Sequence, residues 1–412
     1  MRWEIINASL VGESGISGFQ CLEIDRDRIV QITNASNESI PISLDLSGFW
    51  VYPALINSHD HLIGTYSPKV GGKTKYISWL SWDNELKSSL VFSERQTLSI
   101  DDLYHLGAWK NRIGGAGVVM DHVPHFLNEK MFGKIPIQFV EKYRLSHSVG
   151  KYTLDWGEGT ALEYLRASKE GVPFVTHLAE GLDEDSIGSL RYLQKDSALG
   201  EFSVLVHCLP FGKKEMDQIA QANASIVWCP GSNIHIFGQT TPVLGFRKAG
   251  VNICLGTDLA MAGTSFLMDE MRLAKKLFQE MYSEELSSKE VFQMVTKNPA
   301  KAFRIDSDFG SIEVGKKADF LVLPKRSGDP FEDLLNSEPK DIVLSLQNGV
   351  PVYGDAKFFE FASQFGQNIE KVKLFHKEIP EKFMVGSPTL LLKKIRNELG
   401  YKKDLAFLPI LE

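Results

Sequence analysis

The stretch INSHDH, residues 56–61, closes an apolar run with two histidines one residue apart. Along an extended strand, side chains two apart face the same way, so His59 and His61 can share an interior face while Asp60 turns away. Two imidazoles so placed form a chelating edge for Zn²⁺ or a similar divalent ion. Alone the pattern is weak, because any histidine-bearing strand can produce it. Three later stretches repeat the placement: FVTH ends in His177, VLVH in His207 and ICLGTD in Asp258. Each metal-type side chain stands at the C-terminal end of a β-branched run, the end from which a (β/α) barrel draws its active site. Singly, His177 and His207 read as satisfied core histidines and Asp258 as a helix cap. A set of unrelated core residues has no reason to share one placement, so together they point to a metal site.

The surrounding pattern agrees. Strand-like runs (GVVMDH, PFVTH, SVLVH, SIVWC, NICLGTD) alternate with helical ones such as GTALEYLRASKEG and KKEMDQIAQAN. Such alternation implies parallel βαβ units. Both chain ends have a different texture. CLEIDRDRIVQI near the start, and GSIEVGKKADFLVL and DIVLSLQNGVPVYGD near the end, read as short strands broken by turns, with Asn348-Gly349 a hairpin signal. The expected fold is α/β: a TIM-like (β/α) barrel over residues 49–305, plus a small composite β-sandwich from residues 1–48 and 306–358. Residues 359–412 form an extension expected to be helical. Within it, Ser387, Pro388 and Gly400 bound an amphipathic helix whose apolar face holds Leu391, Leu392, Ile395 and Leu399. That face either meets a second copy in a homo-oligomer or packs on its own chain; the habits of amphipathic helices favour the second.

Composition excludes little but is consistent. A 43% hydrophobic and 24% charged chain of 412 residues reads as an ordinary globular protein. The net charge of −7 gives no support for nucleic acid or anionic lipid as a partner. Four scattered cysteines suit a reducing compartment. No secretory leader and no membrane span is read, so a soluble cytoplasmic protein is expected.

Glu180, in THLAEG, follows the presumed ligand His177 by three residues and lies past the strand end. Most glutamates are solvated surface groups, but a carboxylate beside a metal-activated water can move a proton to a leaving nitrogen. With that, HDH after PALINS, THLAE, LVHC, WCPGSN, LGTD and NPAKAF followed by GSIEVGKKADFLVL resemble the amidohydrolase superfamily. They are most similar to its heterocyclic aminohydrolases, which include the guanine, cytosine and S-adenosylhomocysteine/methylthioadenosine deaminases and the triazine chlorohydrolases. The resemblance implies that His59, His61, His177 and Asp258 hold one divalent metal, Zn²⁺ first and Fe²⁺ second. It implies Asp258 as base on the hydrolytic water, Glu180 as proton shuttle to a ring nitrogen, and His207 as a supporting group that polarises water or substrate. His147, in SHSVGK, sits where these deaminases have a substrate-touching histidine. Trp79-Leu80 resembles part of the long first loop over the pocket, and Asn233 reads as a loop organiser. The implied substrate is a small aminated heterocycle, with hydrolysis of a cyclic amide or chlorinated ring as the alternative.

The chain also departs from that pattern. Only about fifty residues separate His122 from the PFVTH strand, so the third strand or its helix should be truncated. His122 and His125, in DHVPH, either reach the pocket at that gap or are structural, and the second is the favoured reading. Glu85 and Glu94 do not align with a first-loop substrate carboxylate, which argues against an S-adenosylhomocysteine-like nucleoside. Lys151 is misplaced for a bridging carbamate, so a mononuclear site is expected.

Overall fold

In the computed structural model, which describes residues 1–13 and 15–411, eight parallel strands carry the site. They are β1 (Leu55–Asp60), β2 (Ala116–Asp121), β3 (Gln138–Phe139), β4 (Arg144–Val149), β5 (Phe174–Leu178), β6 (Ser203–His207), β7 (Ser225–Trp228) and β8 (Asn252–Leu255). One ladder runs β1-β2-β3 and a second β8-β7-β6-β5-β4. They meet at a parallel bridge between Asp60 and Asp258, where the Asp258 N–H donates to the His59 carbonyl at 2.8 Å. The spatial order is therefore 3-2-1-8-7-6-5-4. The third strand is cut to two residues, and β4 starts five residues later with no helix between them. That is the truncation expected from the short spacing.

Every residue of β1, β2, β5 and β6 is buried, as parallel strands covered on both faces require. Ile56, Val118, Val175, Val204, Val227 and Cys254 pack in one cluster. Their sequence neighbours Leu55, Phe174, Leu205, Ile226, Ile253 and Leu255 join the larger core shared with the helices. The period of two is thus read out directly as two packing layers. Near its end β1 breaks register between Asn57 and Asp60, and such a bulge re-aims the side chains that follow. Gly256 of LGTD is needed here: a Cβ on it would lie 2.7 Å from the His59 backbone nitrogen.

Asp60 turns away from its histidine neighbours, as the alternation predicts. It pairs with Lys110 at 2.7 Å, both groups fully buried, and accepts from Asn111 and Asn57. Removing one partner of a buried pair leaves the other charged and unsolvated. Lys110→Met should therefore destabilise the protein by about 3–5 kcal/mol, read as a lowered midpoint in urea. Adding Asp60→Asn should recover part of the loss; an unchanged midpoint for the single variant would show that the pair carries no such strain.

The chain ends form one continuous ten-stranded sheet. Its seam is five antiparallel pairs between Phe49–Pro53 and Phe320–Pro324, and Trp3, Ile24, Val51, Phe320, Leu344 and Phe383 fill a core of its own. Asn348 and Gly349 both take positive φ, 52° and 71°, making the expected tight hairpin. The extension differs from the helical expectation, because Ile369–Val372 and Lys382–Val385 add two strands to this sheet. Its Lys-rich sequence hides them: Lys382 spends its charge internally on Asp355 and the Ile342 carbonyl. The helix Pro388–Leu399 does form, and Leu391 and Ile395 are buried in the chain's own main core. No helix among the described residues is long and apolar enough to cross a membrane.

Candidate metal centre

The ends of β1, β5, β6 and β8 bring the expected residues together. His59 Nε2 and His177 Nε2 lie 3.1 Å apart. His177 Nδ1 sits 2.5 Å from the His147 carbonyl, which can only accept, so Nε2 of His177 carries a lone pair. Asp258 Oδ1 lies 3.5 Å from His59 Nε2 and 3.7 Å from His61 Nε2. Two donors each about 2.0–2.1 Å from a tetrahedral ion are ~3.3 Å apart. The observed spacings match a shared cation rather than direct hydrogen bonds. The donor set, three imidazoles and a carboxylate, therefore fits a divalent metal. Ala179, His207 and Asp258, each at or just past a strand end, have positive φ of 56°, 76° and 57°. Non-glycine residues held there are strained, and such strain gathers at functional sites.

Burial depresses the basicity of these imidazoles. It is the leading cause for His59, lowered to about 4, and for His61, His177 and His207, all lowered. For Asp258 burial acts upward, but the imidazoles of His59, His207 and His61 outweigh it and hold the carboxylate ionised. Protons and metal compete for the same lone pairs, and that competition starts at lower pH when the pKa falls. Zn²⁺ affinity in equilibrium dialysis should persist below the ordinary histidine range and fall as the pH drops through the His59 value of about 4. A decline centred near ~6.5, the ordinary histidine value, would contradict this.

Glu180 lies against the same cluster. Burial first, then the charges of Asp258 and Asp83, push its carboxyl well above the ordinary glutamate value. Its Oε1 is 3.6 Å from His207 Nε2, a buried atom without another partner. His207 Nδ1 is held 2.9 Å from Asn233 Oδ1, while Asn233 Nδ2 donates to Thr241. Asn233 thus fixes which nitrogen of His207 faces Glu180, a role its place in CPGSN only hinted at. On the backbone, Trp79 N–H donates to the Glu180 carbonyl, and Ser78 bridges Gly181. The first loop is thereby latched beside the carboxylate.

Over these residues opens a small cavity of about 200 Å³. Its walls are mostly apolar: Trp79, Trp82, Leu86, Phe92, Trp156 and Met261. His147 lines it as expected, between Trp79 and Trp156 with ring centroids 4.9 and 4.7 Å away, its pKa lowered by burial to about 3. Arg95 also reaches the wall, its Nη1 donating to the Ile63 carbonyl. Neighbouring Glu94 is no substrate group: it bonds Tyr66, Tyr401 and Lys403, tying the loop to the C-terminal tail. Glu85 is taken by Tyr76.

His125 is structural, packed at a tilt against Tyr143 and bonded to its carbonyl. His122 is not merely so. One ligand nitrogen each of His59, His61, His122 and His177 all lie within 4.8 Å of one another. The short gap before PFVTH leaves a pocket position open for His122, and the packing of β2 beside β1 places it at the cluster.

The fold recurs in solved structures. A zinc complex of an atrazine chlorohydrolase from Arthrobacter aurescens TC1 superposes with a TM-score of 0.74, 18% identity, and coverage of 96% of this chain and all of that one. An Escherichia coli guanine deaminase structure gives 0.64 at 17% identity, covering 86% of this chain and 99% of the other. Among curated sequences, a 5'-deoxyadenosine deaminase of Methanothrix thermoacetophila is 25% identical over 361 residues, 78% of this chain and 85% of the relative. The model of the amidohydrolase family matches residues 158–365, just over half of the chain. That stretch carries His177, Glu180, His207 and Asp258 in the arrangement described, and the chain belongs to the amidohydrolase family.

Proposed function

We propose that this amidohydrolase removes the amino group of an aminated heterocycle, with water as co-substrate and ammonia as product. The observation that carries the reading is Glu180, a buried carboxyl of raised pKa facing both the cavity and the His59–His61–His177–Asp258 set. A metal centre alone needs no such group. The deaminase names of the sequence relatives point the same way.

In this reading His59, His61, His177 and Asp258 hold one divalent ion, Zn²⁺ by the chemistry of the donor set and the zinc in related structures. Once bound, the ion acts as a Lewis acid that brings the pKa of water to ~7. Glu180 takes one proton of the attacking water and delivers it to the ring nitrogen beside the reacting carbon. Asp258 receives the remaining hydroxyl proton and passes it to the departing amine, so neutral ammonia leaves and a ring carbonyl remains. His207, fixed by Asn233, holds Glu180 and the water in line. His147 and the tryptophans clamp the flat ring. The eight parallel strands then serve as a barrel with a shortened third unit, and the composite sheet as a second, sandwich-like domain.

A second reading, hydrolysis of a chlorinated or otherwise substituted ring, uses the same residues. The apolar, tryptophan-lined cavity favours it to the extent that it offers few groups to read a nucleoside. The test is an ammonia-release screen of metal-replete protein over aminated purines, pyrimidines, pterins and triazines. Ammonia from at least one supports deamination; a metal-replete protein that releases chloride from halogenated rings but ammonia from none would overturn it.

A further inference from the structure

We propose that His122 is a further protein donor to the same metal ion, binding through Nδ1. This inference rests on the metal centre proposed above. The side chain is wholly buried, and its Nε2 lies 3.1 Å from the Ser146 carbonyl. A carbonyl only accepts, so Nε2 carries the hydrogen and Nδ1 the lone pair. Nδ1 has neither solvent nor a hydrogen-bond partner. A buried acceptor left in this state is destabilising, and native proteins seldom leave one without cause.

Position supplies the cause. The His122 ring centroid lies 4.5 Å from that of His177, 5.3 Å from His59 and 5.9 Å from His61. It is nearly parallel to His61, at 21°. The ligand nitrogens of the four lie within 4.8 Å of one another. That spacing is close enough for one ion to engage all four after small side-chain shifts. The ring is also held from behind. Its strand is pinned by His122 N–H to the Asp60 carbonyl, and Trp156 packs edge-on at 5.8 Å. A second-position hydrogen bond to a carbonyl on the far nitrogen is how metal-bound imidazoles are oriented. His177 uses the same device on the His147 carbonyl. A histidine that only filled space would have no use for a buried nitrogen left without a partner.

The test is X-ray absorption of the zinc-loaded full chain, with Zn²⁺ affinity by equilibrium dialysis, for the wild type, His122→Ala and His122→Gln. The proposal expects four imidazoles around the ion in the wild type and three in both variants, with affinity lower by ~100-fold, no less than the loss of an orienting partner costs. Three imidazoles in the wild type, or unchanged affinity in variants whose metal-free melting matches the wild type, would overturn it and leave the metal centre intact. A wild type that binds no metal would overturn both. The wild-type imidazole count decides the question even if the variants fail to fold.

Discussion

Glu180→Gln should keep its metal and lose turnover by ~10²–10⁴-fold, the usual worth of a positioned proton transfer. In the proposed ligand set of His59, His61, His177 and Asp258, Glu180 is not a donor although it lies beside His177 and His207, and glutamine preserves its size, so the metal content by elemental analysis should equal that of the wild type. What glutamine lacks is a titratable carboxyl that can accept a proton and release it again. The carboxyl sits where burial and the neighbouring Asp258 charge hold its pKa high, which suits a group that must both accept and give up a proton near neutrality. The loss should fall on kcat, because the carboxyl acts as charge moves rather than as the ring binds. A variant that retained more than about a tenth of wild-type kcat would fall short of that range and remove Glu180 from the chemistry.

His177→Ala should be more severe, abolishing tight metal binding together with activity. His177 joins the two halves of the centre: its Nε2 faces His59 at 3.1 Å and its Nδ1 is anchored to the His147 carbonyl. Removing it deletes one donor and leaves that carbonyl without its buried partner. Zn²⁺ should raise the melting temperature of the wild type, because a ligand bound only by the folded state stabilises it by mass action. The same addition should leave the variant's melting temperature unmoved. An equal zinc-induced rise in both would exclude His177 from the ligand set.

How much of this the chain announces depends on the kind of signal. His59, His61, His177, His207 and Asp258 are legible because each ends an apolar run, and strand geometry converts that position into a shared rim. The α/β alternation is legible for the same reason, as is the shortened third unit, which is a matter of counting residues. Glu180 needs only its distance from His177. The seam between the chain ends is foreshadowed by matching textures, though not its register of five pairs.

Other features depend on contacts distant in sequence. Lys110 and Arg112 look like an ordinary charged stripe on a helix, yet both are buried, Arg112 bonding the Pro136 carbonyl, Ser345 and Gln347. Lys382 hides its strand because its charge is satisfied inside. Asn233 acts only through His207, 26 residues away. His122 is only an alternative in the sequence, because its partners come from two other strands. The link from Glu94 to Tyr401 and Lys403 spans over three hundred residues, and it explains why a tail outside the family pattern belongs to this pocket's architecture.

The most direct measurement is an anomalous difference map from crystals of the full chain grown with Zn²⁺ and recorded at the zinc edge. The account predicts one strong peak per chain, within ~2.5 Å of His59 Nε2, His177 Nε2 and an oxygen of Asp258, allowing for refinement around the ~2.0–2.2 Å bonds such ligands make. No peak there, or a peak held by other residues, would contradict it.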